Sequence, residues 1–547
     1  MPFPLGTVFV YTVSLWDILY FMNRKDILND ILRFDKPYDC FELLETESGD
    51  ETSFCGAERE RRKEEAPQAE KLYRSLNRNK SWLKKEFHTD TNTDIILREF
   101  DIGKRSALAV FVNGMADENQ ISDFILRPSL QIDELNGCAD ILIRKVLPMQ
   151  EVDATNERSK VKTAICEGRT ALFVDGCTDV ALMDTRGFAS RTIGTTQNET
   201  VVIGPNEAFT ENLRTNVTQM RRIIKKPEFI CKFQDAGASN HIRLALCYIE
   251  GLTNRSLLRE VQRRLSNIST DVILDAGSIK QLIETHPFAP ISQSMSTERP
   301  DRAAMAVMQG KVVLLLEGSP QALVMPVTLF ELMASAEDAY QRQPIGSLVK
   351  LVRYFGAALS VLMPAYFLAV AMHHQGLLSS EVLNTVIASR EMVFLPMPVE
   401  MVFLLIVFQL VREAGVRVPG AAGQTVGIIG GLILGQAAVA ANIVSTVVLI
   451  IVALTGLGNY TIPNYELQLS VAYFRIILCI LASLSGLLGF FSGILIAIAL
   501  LCSMKSFGVP MLSPLSPATK RRHGLVLRRK LRQHSQPIDY SNSEGQV

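Results

Sequence analysis

The sequence predicts an α/β (or α+β) two-lobed cytoplasmic domain followed by an all-α polytopic membrane domain, and three observations lead there. Nearly all ionisable side chains lie no later than Arg353 or after Met504. From Thr93 to about residue 345, short β-rich runs alternate with amphipathic segments of helical period. Beyond Tyr354 the chain runs in uncharged stretches long enough to span a bilayer. At 547 residues it exceeds one ordinary domain, so two or more folding units are the default. The zero formal net charge averages over unlike regions and gives no ground for a nucleic-acid partner. The nine cysteines form no CxxC and no Cys/His cluster, which reads as reduced, structural thiols without a zinc site or disulfide framework.

Residues 1–92 read as a variable N-terminal extension or linker. Met1 to Met22 is apolar but lacks the basic start and small-residue cleavage site of a signal peptide. Asp17 would be costly at depth in lipid, which favours a buried or interfacial helix, or a start placed too early, over a membrane segment. The run Glu58 to Glu65 reads as a solvated helix or linker.

Residues 93–345 form the α/β domain. Strand candidates are Ile95–Phe100, Ala107–Val112, Thr170–Val174, Thr200–Ile203, Arg243–Tyr248, Val312–Leu315 and Ala322–Met325, several of them ending in Gly or Asn-Gly turns. Helix candidates are Gln120–Leu135, Thr210–Lys225, Asn254–Asn267 and Pro300–Met308, with Thr210 and Thr253 as expected N-caps. A polar, Gly-containing break near 225–239 divides the expected lobes.

The membrane domain is placed at 346–510, with spans near 354–372, 392–411, 421–450 and 474–503. Tyr354 to Met372 is uncharged over 19 residues, and Ile476 to Met504 over 29. Lys350 and Arg353 precede the first span, Arg412 and Arg417 follow the second, and a basic tail, 511–547, follows the last. The positive-inside rule then puts both the soluble domain and the tail in the cytoplasm, with an even number of crossings: four, or failing that six. The basic tail is also suited to anionic lipid headgroups.

Within the third span Gly423, Gly427, Gly431 and Gly435 recur at every fourth position. At ~100° per residue this ladder drifts by only ~40° per step, which lays bare backbone along one face where another helix can approach closely. The opposite face carries Thr425, Ile429, Leu432 and Gln436. Two charges also fall inside the expected spans, Glu400 and Arg475. Because four crossings put both in the outer half, and buried ions in lipid need partners, the expectation is that they pair.

No phosphate loop, dinucleotide fingerprint, HExxH or nucleophile elbow is found, so neither a catalytic constellation nor a cofactor is expected. His373-His374 is adjacent rather than at ligand spacing. Arg186-Gly187 with Arg191 can be read as an anion site or as a turn between strands.

A series of stretches resembles the A subunits of the GerA family of spore germinant receptors. They are GRTALFVDG (168–176), TRGFASR (185–191), GPNEAFTENLRTN (204–216), TERPD (297–301), SAEDAY (335–340), PAYFLAVAMHH (364–374), PMPVE (396–400) and VREAGVRVPG (411–420), with the glycine ladder following in place. The likeness covers roughly residues 93 to 515. Departures include Gly194-Thr195-Thr196 where the family usually carries Glu-Pro, and Ile203 where a basic residue is usual. The resemblance implies a non-enzymatic membrane subunit in the spore inner membrane. It implies a homo-oligomer, a pentamer, that forms a nutrient-gated cation channel with a nutrient-binding, transporter-like B subunit and a lipoprotein C subunit. Under that reading Thr425, Ile429, Leu432 and Gln436 line the pore while the glycines pack. The alternatives are a non-conducting scaffold of receptor clusters, or a paralogous channel associated with dipicolinic-acid transport.

The ladder yields a first expectation: Gly427→Leu or Gly431→Leu prevents assembly. Oligomer size on detergent size-exclusion chromatography checks it, and normal oligomers from both variants would refute it.

Overall fold

The computed structural model describes residues 71–131, 152–187, 194, 196, 199–286, 289–417 and 435–516. The apolar start at 1–22, most of the basic tail and most of the glycine ladder lie outside the described residues.

The first lobe begins with helix α1 (Leu76–Glu86), followed by the hairpin β1 (Ile95–Ile102) and β2 (Arg105–Val112). After a helical stretch ending at Leu130 come β3 (Val152–Thr155), α2 (Arg158–Cys166), β4 (Thr170–Val174) and β5 (Val180–Met183). The five strands form an antiparallel sheet in the order β1-β2-β4-β5-β3. The second lobe repeats the plan: α3 (Leu213–Ile223), β6 (Phe229–Ala236), β7 (Ile242–Ile249), α4 (Arg255–Ser266), α5 (Ala276–Ile283), β8 (Met295–Thr297), α6 (Pro300–Met308), β9 (Val312–Leu316) and β10 (Ala322–Met325). Its sheet order, β6-β7-β9-β10-β8, matches the first position for position.

The duplication extends to single residues. Gly168 to Met183 aligns without a gap on Gly310 to Met325. Gly168 and Gly310 take φ of 92° and 90°, and Gly176 and Gly318 take 83° and 79°, a left-handed backbone open to glycine without strain. In both lobes the acid before the second of these glycines accepts from the first amide of the opening helix. Leu76 N donates to Asp175 at 2.9 Å, and Leu213 N donates to Glu317 at 3.2 Å. An asparagine one turn into each helix closes the same loop, Asn79 donating to the Tyr73 carbonyl and Asn216 to that of Thr210.

This revises the sequence-derived boundaries. Leu76, Leu83 and Phe87 are buried in the first lobe's core, so the fold takes in residues that had been assigned to the linker. The break expected near 225–239 is occupied by β6, an edge strand whose alternation is blurred by Lys232, Gln234 and Asp235. The change of lobe falls instead between Gly187, still bonded to Met115 of the first lobe, and α3. Thr200–Ile203 is not a strand, and the N-caps are Asn212 and Asn254, each beside or near the expected threonine.

The lobes are joined by a buried ion pair. Arg221 on α3 donates to one Asp94 oxygen through Nε at 3.1 Å and Nη2 at 2.6 Å, and Nη2 also reaches the Phe229 carbonyl at 2.9 Å. Neither side chain is more than 2% exposed. Around them Asn92 and Thr93 bond the backbone of Phe229, Cys231 and Phe233, continuing the first lobe along the edge of β6. Burial raises the Asp94 carboxyl above its ordinary range, and the Arg221 charge opposes that rise.

Five helices follow, four of them apolar. Helices α7 (Gln343–His373), α8 (Ser380–Arg390), α9 (Met397–Arg417), α10 (Thr446–Tyr460) and α11 (Tyr465–Ser503) are described. By length and composition α7 from Pro344 and α11 are long enough to cross a membrane. However, α11 is not one straight rod. Gly486 has φ 62° and ψ −137°, and a Cβ on Gly493 would lie 2.5 Å from Leu478 Cδ1. In a straight helix those two residues would be about 22 Å apart, so the chain reverses at Gly486 into a helical hairpin. His373 and His374 close over that turn, within 2.9 Å of where a Gly486 Cβ would be. Both feet of the hairpin rest on the second lobe: Glu466 pairs with Lys280, and Phe507 and Val509 enter the core beneath β9 and β10.

The expected span at 421–450 is also interrupted. Residues 435–440 are helical, Asn442 turns with φ 55°, and Ser445 caps the new helix α10. Arg417 lies toward the lobe end and Ser445 at the far end, and residues 418–434 between them lie outside the described residues.

The lobe pair generates an expectation. Arg221→Met leaves Asp94 buried and unpaired and lowers stability by about 3–5 kcal/mol, whereas adding Asp94→Leu recovers most of the loss. Thermal unfolding of the full chain checks it; equal losses from the single and double variants would refute it.

Candidate functional site at the junction of lobes and helices

Three of the motifs that carry the family resemblance lie far apart along the chain but meet at one place. Arg299, fully buried at the start of α6, donates to the Glu199 carbonyl at 3.2 Å and the Pro205 carbonyl at 2.7 Å, and it pairs with Asp301 at 2.9 Å. One residue after Asp301, Arg302 pairs with Glu199 at 2.6 Å and donates to the Ala334 carbonyl at 2.8 Å. Tyr340 donates to Asp301 at 2.5 Å, and its ring lies 3.0 Å from where a Gly204 Cβ would be. That contact and a φ of 142° reserve position 204 for glycine. Glu337 accepts from Val202 N at 2.8 Å. The inter-lobe connector is thus clasped from GPNEAF, TERPD and SAEDAY at once.

The same clasp reaches the helices. Asp338 caps its own 3-10 turn through Ser335 and also receives Arg353 of α7 at 2.9 Å. Arg353 Nη1 donates further to the Met333 carbonyl at 3.0 Å, and the Arg353 carbonyl accepts from Thr461 beyond α10 at 3.3 Å. A continuous run of charge-assisted bonds therefore joins the connector to the root of the first long apolar helix. Burial disfavours the Arg299 charge, but its bonds to Asp301 hold its pKa above the ordinary value. Burial and Asp301 push the Tyr340 phenol up to about 12, which keeps it a donor. Lys311, buried under this site, is held down by desolvation and paired with Glu331 at 2.5 Å.

The sequence-derived site residues are distributed otherwise. Gly423, Gly427, Gly431, Thr425, Ile429 and Leu432 lie outside the described residues. Gly435 meets Leu449 no closer than 3.7 Å, ordinary van der Waals contact, and Gln436 is exposed. The close glycine contacts fall elsewhere: Gly456 against the Phe408 ring, Gly458 against the Gly356 carbonyl, and Gly489 and Gly493 inside the α11 hairpin. The Gly489-Phe-Phe-Ser-Gly493 spacing was the signal for the last pair.

Glu400 and Arg475 take different partners rather than each other. Glu400, fully buried, accepts from Ser445 N at 2.6 Å and Ser445 Oγ at 2.7 Å, and lies 3.7 Å from Arg390. It thereby fixes the start of α10 at the far end. Arg475 donates to Ser360 at 3.0 Å. The expected pair assumed that the last span enters from the outer face. Because α11 starts on the second lobe, Arg475 lies about 15 Å in from the lobe end, away from Glu400. Arg186 is engaged with Asp184 at 2.8 Å, and Arg191 lies outside the described residues. Among the described residues no group of three or more His, Cys, Asp or Glu side chains could hold a metal.

Fold and junction define a class, a duplicated α/β head rooted by ion pairs on a bundle of apolar helices. The chain belongs to the GerA family: the family model described as Bacillus/Clostridium GerA spore germination protein matches residues 81–537. It is 33% identical over 448 residues to spore germination protein KA of Bacillus subtilis (strain 168), covering 81% of this chain and 82% of that protein. It is 27% identical over 453 residues to stage V sporulation protein AF of the same organism, covering 82% and 91%. The N-terminal domain of the A subunit of the Bacillus megaterium spore germinant receptor GerK3 is similar at 27% identity and a TM-score of 0.37, over 47% of this chain and 96% of that structure.

The clasp predicts that Arg299→Ala releases the connector. Hydrogen exchange of amides 199–209 in the full chain should quicken at least tenfold, while β9 amides stay protected; an unchanged connector would refute the assignment.

Proposed function

We propose that this chain is the A-type subunit of a germinant receptor in the spore inner membrane, oligomerising into a nutrient-gated cation channel and performing no catalysis. The head and the C-terminal tail face the cytoplasm, and the helices cross the bilayer. The observation that carries the reading is the unbroken path from connector to Arg353. A rearrangement of the lobes moves the clasp, and the clasp holds the root of α7. Such a linkage suits a protein whose head responds to partners and whose helices gate. The partners are a nutrient-binding B subunit, a lipoprotein C subunit and further copies of this chain, five by family resemblance.

Within this reading Thr425, Ile429, Leu432 and Gln436 face the conduit, where an apolar ring at Ile429 and Leu432 gates by dewetting. The similarity to stage V sporulation protein AF along most of both chains favours one second reading, a paralogous channel without its own nutrient-binding partner.

Cation release from spores separates these. Ile429→Ala, at normal protein level, should leak cations without nutrient. Normal behaviour of the variant would move the conduit to another helix. A triggered but unmutated receptor that passes no cations would overturn the channel reading, and release that persists without a B subunit would favour the paralogue.

A further inference from the structure

Two arginines inside the helical bundle form no salt bridge with an acidic side chain among the described residues. Arg412 on α9 is 5% exposed, and neither Nη1 nor Nη2 has a hydrogen-bond partner. Its guanidinium lies 5.3 Å from the centre of the Tyr465 ring, which uses one face and leaves the N–H groups free. Arg475 on α11 is 1% exposed; Nη1 donates to Ser360 and Nε has no partner. Both sit against α10: Arg475 reaches Ser360, which Gly458 of α10 abuts, and Gly456 of α10 abuts Phe408, one turn before Arg412.

Further unpartnered polar atoms accompany them. Both amide atoms of Asn459, a residue 1% exposed, are unbonded, as is Gln409 Oε1. Gln409 is one turn before Arg412 on the same face of α9. The packing gathers this set. Gly456 presses on the ring of Phe408, one turn from Arg412, while Gly458 abuts Gly356 and lies 3.3 Å from Ser360 Cβ as measured from its own virtual Cβ. Asn459 thus stands between the helix that carries Ser360 and the one that carries Arg412.

The carboxylates of the apolar region are committed or distant. Glu400 is at the far end with Ser445 and Arg390, Glu413 is bonded by Arg417 and Tyr465, and Glu466 by Lys280. Glu381 and Glu391 are exposed beyond α7. The segment 418–434 contains no acidic residue. Two buried positive charges with open N–H groups call for a negative ligand, because a buried charge is stable only when paired and hydrogen-bonded.

We propose that Arg412 and Arg475, with Ser360, Gln409 and Asn459, form an anion site within the bundle that takes a phosphate oxyanion, either free phosphate or a phospholipid headgroup. Guanidinium forks match the geometry of such oxygens, and the amides and hydroxyl supply neutral donors. Ser360 and Asn459 lie within about two turns of Arg353 and Thr461, where the connector clasp ends; resting on the channel reading, the ligand neutralises a charge that would otherwise repel cations moving through the bundle. The binding readout below does not depend on conduction, so it can fail or succeed independently of the channel reading.

The test uses the full chain purified in an uncharged, phosphate-free detergent. Thermal unfolding is followed during titration with inorganic phosphate at constant ionic strength, and native mass spectrometry scores retained anionic phospholipid. The unmutated chain should either melt higher with phosphate, identifying a free anion, or retain one anionic lipid that phosphate does not displace, identifying a headgroup. Arg475→Gln should abolish either signal, Ser360→Ala should weaken it about fivefold, and Arg417→Gln, which alters an exposed arginine, should leave it intact. Should Arg475→Gln fail to fold, Ser360→Ala and Asn459→Leu decide. An unmutated chain that neither responds to phosphate nor retains anionic lipid overturns the proposal, as does equal loss in Arg417→Gln.

Discussion

The head depends on a charge removed from water. Asp94 enters β1 at the point where the chain leaves α1, and Arg221 closes α3 at the corresponding point of the second lobe. Each would be costly alone, and together with the Phe229 carbonyl and ring they turn that cost into a demand for one relative position of the lobes. Hydrophobic contact between the lobes could slide; a guanidinium anchored to one carboxylate oxygen and one carbonyl cannot do so without stranding both charges. The placing of the Asn92 and Thr93 side chains, bonded along β6, follows from that fixed position.

The same logic is reused lower down. Arg299, Arg302 and Arg353 each combine one carboxylate with backbone carbonyls, so that irregular segments are held by side chains rather than by ladders. Arginine suits this because its planar fork serves several acceptors at once. The consequence is a stiff path from the connector between lobes to the first apolar helix. In the bundle, association relies on close backbone approach instead. Gly356, Gly456, Gly458, Gly489 and Gly493 sit where a Cβ would collide, and Gly486 lets the last helix fold back so that both its ends reach the second lobe.

How legible was this in the chain? Buried strands with compact apolar sequences lie within a few residues of the expected bounds: Thr170–Val174 and Ala322–Met325 match, as does helix Pro300–Met308. The misses have physical reasons. Phe229–Ala236 reads polar because an edge strand exposes one face, and Val152–Thr155 and Met295–Thr297 are too short for a period to emerge. The duplication was written in Gly168–Met183 and Gly310–Met325, but helix insertions of different length conceal it elsewhere. For the junction, TERPD and SAEDAY were visible as motifs, yet nothing in either string names the other as its partner.

What the sequence by itself determined is therefore the division into a charged α/β head and an apolar helical part, the family, and the identity of the rare charges within the apolar part. Those follow from composition and local pattern, which are properties of neighbours along the chain. The partners of these charges were decided only by the tertiary structure. A single turn at Gly486 folds the last helix back on itself and a break at Asn442 precedes the new helix α10, and these local features set the end at which each charge lies. Glu400 consequently caps α10 while Arg475 donates to Ser360. Pairing energy falls off within a few ångströms, so a reversal of the chain reassigns partners while leaving hydropathy untouched.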